Sequence, residues 1–164
     1  MNWYPWLVLL HVLGGFGFVL AHGVSMVVAV RLRSERDPAR VTALLDVSGF
    51  SLSILYLALL VLLAAGIAAG FVGAHWDRLW IWTALGLLVV VTVMMYVFAS
   101  PYYGNLRRAV GQKTYGMPKD APEPAPLPET ELAALLDTSR PYWLAAGGGI
   151  GLLTIIGLMV LKPF

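Results

Sequence analysis

Four long apolar stretches, separated by charged or proline-rich segments, limit what this chain can fold into. A helix of about 20 apolar residues spans the hydrocarbon core of a bilayer, and the stretches predict such helices at about 4–31, 43–72, 78–100 and 141–162. Only 12% of the residues are charged, about half the share found in soluble domains. The sequence therefore predicts an all-α polytopic membrane protein, with one domain of four transmembrane helices in an antiparallel bundle.

The basic residues predict the orientation of this bundle. Nine of the eleven lysines and arginines lie in two segments, 31–40 and 105–140, whereas Arg78 and Lys162 are alone at the other side. Because loops rich in lysine and arginine stay in the cytoplasm, we expect a bacterial inner membrane protein with both termini outside. The first stretch lacks the basic start and the cleavage site of a signal peptide, so 3–31 is expected to be a retained helix.

The segment 104–140 is predicted to be a cytoplasmic loop. Five prolines in 118–128 favour an extended linker. The residues 129–137 then predict a short amphipathic helix that lies on the membrane surface, with proline and acidic residues at its start.

Composition and motifs exclude several function classes. Without cysteine, the chain has no disulfide, thiolate metal site, iron–sulfur cluster or thiol nucleophile. A net charge of +2 gives no reason to expect nucleic acid as a partner. Nothing resembles a nucleotide-binding loop, a Ser/His/Asp arrangement or a zinc signature, so an enzyme is not the favoured interpretation.

Two histidines, His11 and His22, lie within the first apolar stretch. Eleven residues make three helical turns plus about 20°, which puts both imidazoles on one face, about 16 Å apart. Ionisable groups at membrane depth mark candidate functional sites. One interpretation is close helix packing through hydrogen-bonded imidazoles. The other is axial ligation of b-type haem, with space provided by neighbouring glycines, namely Gly14, Gly15, Gly17 and Gly23.

Few residues in this sequence could provide a second axial ligand for haem. His75 is the only other histidine, and it lies beyond the second predicted helix. His22 therefore has no histidine partner within one chain, whereas His11 with His75 remains an alternative. Methionine ligands or ligation between two copies of the chain also remain open, and the methionines in or near the spans are Met26, Met94, Met95 and Met159.

Asp46 is the remaining candidate, near the start of the second predicted helix. The favoured interpretation is that Asp46 lies at the headgroup level, where it caps the helix or pairs with Arg40. The alternative is that its carboxylate orients an imidazole, binds a quinone oxygen or accepts a proton in a polar network. Gly66 with Gly70, and Gly147 with Gly151, offer small-residue faces for contact with another helix, so we expect a homo-oligomer or a partner membrane complex.

The segment from Trp6 to Gly15, Trp-Leu-Val-Leu-Leu-His-Val-Leu-Gly-Gly, resembles the first helix of a family of predicted bacterial integral membrane proteins of unknown function. That family is loosely similar to copper-resistance D-type membrane proteins. The segments 31–33, 37–40 and 43–46 are also similar to the first family. The resemblance implies the four-helix fold and the membrane location, and it matches His11 to a recurring position.

Three functions remain open from the sequence. The favoured one is a small subunit or helper of a membrane complex that acts through the His11/His22 face. The alternative is an electron-transfer protein that binds b-type haem or quinone, with His11, His22 and His75 as candidate ligands. Permeation of copper or another solute ranks third.

Overall fold

The structure, a computed structural model, describes residues 2–114, 116–118 and 120–164. The regular elements among those residues are all helices, and no strand is present. The helices are α1 (Tyr4–Ser34), α2 (Pro38–Val72), α3 (Leu79–Ala109), α4 (Glu129–Leu136) and α5 (Arg140–Leu161). Four segments are long and apolar enough to cross a membrane: α1, α2, α3 and the segment Glu129–Leu161 that includes α5. The fold is thus compatible with a multi-pass membrane protein.

Helix α2 begins at Pro38, five residues before the predicted start at 43. The side chain of Asp37 accepts a hydrogen bond from the backbone N–H of Ala39, at 2.9 Å. Proline at the first helical position loses no hydrogen bond, since that N–H has no partner within a helix. In the tight link before it, the backbone N–H groups of Arg36 and Asp37 donate to the carboxylate of Glu35 and lower its pKa.

Helix α3 is also longer than predicted, because it continues through Pro101 to Ala109 instead of ending at 100. Proline inside a helix removes one hydrogen bond and disfavours the helix by about 3 kcal/mol. The residues beyond it, Tyr102 and Leu106, are buried against other helices. Burial of these large side chains offsets the cost of the proline, and the loop is shorter than the predicted 104–140.

Helices α1 and α2 form the most extensive contact between helices in the fold. A Cβ atom placed on Gly14 would lie 2.6 Å from the backbone nitrogen of Leu62, and one on Gly17 would lie 3.3 Å from Cβ of Ala58. The glycines of α1 thus allow the two backbones to approach closely. Helices α3 and α5 form a second pair, in which Gly151 packs on Val91, and α1 connects the pairs by contacting α5.

The two ends of the fold differ in character. At the terminal end, the ring of Tyr4 packs on His75, which packs on Trp80, and Lys162 lies over the Trp80 ring. At the loop end, α4 packs on α1 and α3, with Leu136 fully buried in an apolar cluster to which α2 also contributes. The sequence predicts an amphipathic helix here that lies on the membrane surface, and that location stays a prediction. In the structure, Leu132 and Leu136 of α4 complete a buried apolar cluster with Val28, Leu32, Val41, Leu45, Tyr102, Leu106 and Ala109.

Candidate functional site: an apolar cleft beside His11

His11 joins α1 to α2 through its imidazole. Its Nδ1 lies 2.8 Å from the carbonyl oxygen of Leu62, and a Cβ atom on Gly66 would lie 2.6 Å from the same nitrogen. Glycine at position 66 therefore makes room for the ring. Because a carbonyl oxygen only accepts, Nδ1 carries the hydrogen, and in the neutral form of the ring Nε2 has an accepting lone pair.

His22 packs against a different helix from His11. A Cβ atom on Gly148 of α5 would lie 2.7 Å from its Nε2, and the ring stacks on Phe18 with centroids 6.5 Å apart. Its Nε2 is buried and has no hydrogen-bond partner among the described residues. The two histidines that the sequence puts on one face are thus not brought into one site by the structure.

His75 does share surroundings with His11. It follows the last turn of α2, and its Nε2 lies 3.0 Å from the hydroxyl of Tyr4. Both His75 and His11 line one cavity at the terminal end of the fold, which we call the His11 cleft. Of the three candidate ligands, two therefore line the same cavity.

The His11 cleft has a volume of about 570 Å³ and opens among α1, α2, α3 and α5. Its walls are mainly apolar, and representative lining residues are Val19, Leu63, Ala84, Leu88, Ile155 and Met159. A few polar groups lie among them. Trp76 lines the cleft, and its indole N–H is buried without a partner among the described residues. Lys162, another lining residue, has its ammonium 5.7 Å from the centroid of the Trp80 ring. Such a cavity, apolar with few polar groups, is typical of small-molecule sites.

Asp46 lies at the loop end of the fold and does not line the His11 cleft. It is exposed, forms an ion pair with Arg107 at 3.7 Å, and accepts a hydrogen bond of 2.8 Å from Gln112. Arg40, the partner considered from the sequence, pairs with Asp37 instead. Arg107 also donates to the carbonyl oxygen of Leu45. Asp46 therefore helps to hold the end of α3 against α2.

A polar network between α1, α2 and α3 went unpredicted. The hydroxyl of Ser51 donates to the carbonyl oxygen of Ser48, so Ser25 donates its own hydroxyl to Ser51, at 2.7 Å. Tyr103 donates to the carbonyl oxygen of Ser25. These serines interrupt apolar stretches of the sequence, and that pattern could have indicated polar contacts between the helices. The hydroxyl donors end on the backbone carbonyls of Ser48 and Ser25, and the network joins α1, α2 and α3.

The described residues contain no group of three or more His, Cys, Asp or Glu side chains arranged to hold a metal ion. Comparison of the chain with protein-family models, curated proteins and solved structures gave no match. The resemblance of the first helix to a family of predicted bacterial membrane proteins therefore stays a prediction.

Proposed function

We propose that this chain is an inner-membrane protein, an antiparallel bundle with both termini outside, that binds a quinone or its quinol in the His11 cleft. The observation that carries the proposal is the combination of size, apolar walls and few polar groups in this cleft. In that orientation the terminal end, and hence the cleft, lies in the outer half of the membrane. A ligand dissolved in the membrane reaches it without crossing water.

The polar groups of the cleft match the oxygens of such a ring. Since Nδ1 of His11 donates to Leu62, Nε2 is the accepting nitrogen in the neutral form of the ring, and in that form it suits the hydroxyl group of a quinol. The unpartnered indole N–H of Trp76 suits an accepting carbonyl oxygen of the quinone. The apolar walls suit the ring and the attached hydrocarbon tail. Both redox states of the ligand thus find a partner.

The experiment is a titration of the purified protein in detergent with decylubiquinone, followed by the quenching of tryptophan fluorescence. Trp76 and Trp80 line the cleft, so binding is expected to give saturable quenching. His11→Ala is expected to weaken binding about tenfold, the worth of about 1.4 kcal/mol. His22→Ala is the matched control, since His22 does not line the cleft and its variant should keep the wild-type Kd.

A second variant separates loss of binding from loss of structure. Gly15 also lines the cleft, and a Cβ atom there would lie an ordinary 3.5 Å from Cδ1 of Leu62. Gly15→Leu should therefore fold, keep the His11 bond and reduce binding by occupying the cavity. Linear quenching without saturation in the wild-type protein, or equal Kd values in wild type and both cleft variants, would reject quinone binding.

A second candidate is b-type haem in the same cleft. The specific observation is that His11 and His75 both line it, and that His11 donates its other ring N–H to a carbonyl, as metal-ligating histidines do. The visible spectrum before and after dithionite decides this candidate. A Soret band that shifts on reduction and disappears in His11→Ala would support haem, and a colourless preparation would reject it.

Either ligand is compatible with a small subunit or helper of a membrane complex, the function favoured by the sequence. The proposed working surface is then the His11 cleft and not a combined His11/His22 face. Association with a second copy or with another membrane protein stays a prediction.

A further inference from the structure

A groove at the loop end of the fold combines an arginine with apolar walls. It has a volume of about 320 Å³ and lies where the segment from Pro124 to Leu127 runs back along the end of α3. The backbone N–H of Leu127 holds this segment in place by donating to the carbonyl oxygen of Ala109, at 2.9 Å. We call it the Arg108 groove, and its walls are formed by Asn105 and Arg108 of α3, Pro124 and Leu127 of the loop, and Leu135 of α4.

The polar wall of the Arg108 groove offers hydrogen-bond donors. Nη2 of Arg108 donates to Oδ1 of Asn105, at 2.7 Å. This bond turns the amide oxygen of Asn105 towards the guanidinium and leaves the amide NH₂ group as a second donor beside it. Since a guanidinium has five N–H donors, the bond to Asn105 leaves others for a ligand. The two side chains together therefore suit an anion.

The positive charge of Arg108 is not balanced within the described part of the chain. At the same end of the fold, Arg33, Arg40 and Arg107 each form an ion pair with an aspartate. Arg108 forms none with any described carboxylate. A bound anion would thus meet a guanidinium that no carboxylate occupies, and guanidinium groups bind phosphate through two parallel hydrogen bonds.

We propose that the Arg108 groove binds an anionic phospholipid, with the phosphate on Arg108 and Asn105 and an acyl chain along Leu127 and Leu135. These leucines are 39% and 38% exposed, so apolar surface lies open beside the guanidinium. Basic pockets beside transmembrane helices bind the head groups of anionic lipids. The proposal rests on the proposed membrane location of the chain. It does not depend on a ligand in the His11 cleft, which shares no lining residue with this groove.

The test is native mass spectrometry of the full-length protein in detergent, titrated with phosphatidylglycerol or with phosphatidylcholine, which has the same phosphate but no net charge. The wild type should prefer phosphatidylglycerol, because the choline ammonium is repelled by the basic residues of this end. Arg108→Gln is expected to weaken binding of phosphatidylglycerol about tenfold, as loss of a hydrogen bond between charged groups does. Asn105→Asp keeps the shape of the side chain and places a negative charge in the groove, so it should weaken binding as well.

Arg36→Gln is the matched control, because it removes the same charge from the same end of the fold without touching the groove. Arg36 is exposed and donates only to the backbone carbonyl oxygens of Arg33 and Glu35. This variant should keep the wild-type affinity and preference. Arg108 and Asn105 are exposed too, so their variants should fold, and thermal unfolding in detergent checks this. Should Arg108→Gln fail to fold, Asn105→Asp still decides.

A second arm adds glycerol 3-phosphate, which has a phosphate but no acyl chains. It should not displace phosphatidylglycerol at equal concentration, since the apolar wall contributes to lipid binding. Displacement as effective as that by phosphatidylglycerol itself would assign the groove to a soluble phosphate and overturn the proposal. So would equal binding of both lipids by the wild type, wild-type affinity in Arg108→Gln or Asn105→Asp, or an equal loss in Arg108→Gln and Arg36→Gln.

Discussion

Gly14 is the residue on which the approach of α1 and α2 depends most directly. Any side chain at this position meets backbone atoms of Leu62. A change of side-chain rotamer cannot move those atoms, so the contact is relieved only if the helices separate. We expect Gly14→Ala to lower the free energy of unfolding by about 1–3 kcal/mol, the usual cost of overpacking. Thermal unfolding in detergent, followed by tryptophan fluorescence, measures the change.

Gly23→Ala provides the control on the same helix. A Cβ atom at Gly23 meets nothing within 4 Å, and alanine favours a helix over glycine by about 1 kcal/mol. This variant should unfold at the wild-type temperature or above it. If the two alanine variants unfold at the same temperature, the close contact at Gly14 does not contribute to stability.

Ser51 is the central residue of the polar network, since it accepts from Ser25 and donates to Ser48. Ser51→Ala should destabilise the protein by about 1 kcal/mol, in the range measured for hydrogen bonds between membrane helices. Ser53, two residues further along α2, is exposed and bonds only within its own helix, at 3.4 Å. Ser53→Ala should therefore leave thermal unfolding unchanged, and an equal loss in both variants would contradict the network's role.

At the residue scale, the sequence predicts which side chains matter better than it predicts their partners. His11 and His22 are conspicuous because imidazole is costly in an apolar stretch. Their neighbours are decided by Gly66 on α2 and Gly148 on α5, which lie far away in the chain. Helix periodicity describes one helix only, and so it cannot say which helix packs against each imidazole.

At the scale of elements, the sequence predicts the apolar middle of each long helix correctly. It misplaces the start of α2 and the end of α3, which lie outside the continuous apolar stretches. The start of α2 depends on the side chain of Asp37, a local signal present in the sequence. The end of α3 depends on burial of Tyr102 and Leu106 against other elements. That second cause is tertiary, and no local pattern around Pro101 reveals it.

Helix α4 tests the element scale directly, because its two neighbouring leucines differ in burial. Leu136 is fully buried in the apolar cluster at the loop end, whereas Leu135 is 38% exposed. Leu136→Ala should cost about 2–5 kcal/mol, as other buried leucines do, and should release α4 so that the adjoining loop becomes sensitive to protease. Leu135→Ala is expected to keep wild-type stability and resistance, and a reversed order would show that α4 does not pack as described.

At the scale of the whole molecule, packing and charge answer different questions, and the orientation in a membrane stays a prediction from charge. Contacts of Tyr4 with His75 and of Lys162 with Trp80 bring the beginning of α1, the end of α2, the beginning of α3 and the end of α5 to the terminal end. Nine of the eleven lysines and arginines lie in 31–40 and 105–140, the segments that connect the helices at the loop end. The packing determines which helix ends lie together, and only the charges indicate which end faces the cytoplasm.

The orientation is testable because the chain has no cysteine, so a single introduced thiol is the only one that a maleimide can label. Asn2→Cys, at the terminal end, should react with a membrane-impermeant maleimide on intact cells. Thr130→Cys, exposed at the start of α4, should react only after lysis. The reason is that the basic segments on the side of α4 resist translocation. Phe164→Cys controls for the other terminus and should label like Asn2→Cys. Labelling of Thr130→Cys on intact cells, with Asn2→Cys protected, would invert the bundle and move the His11 cleft to the cytoplasmic half of the membrane.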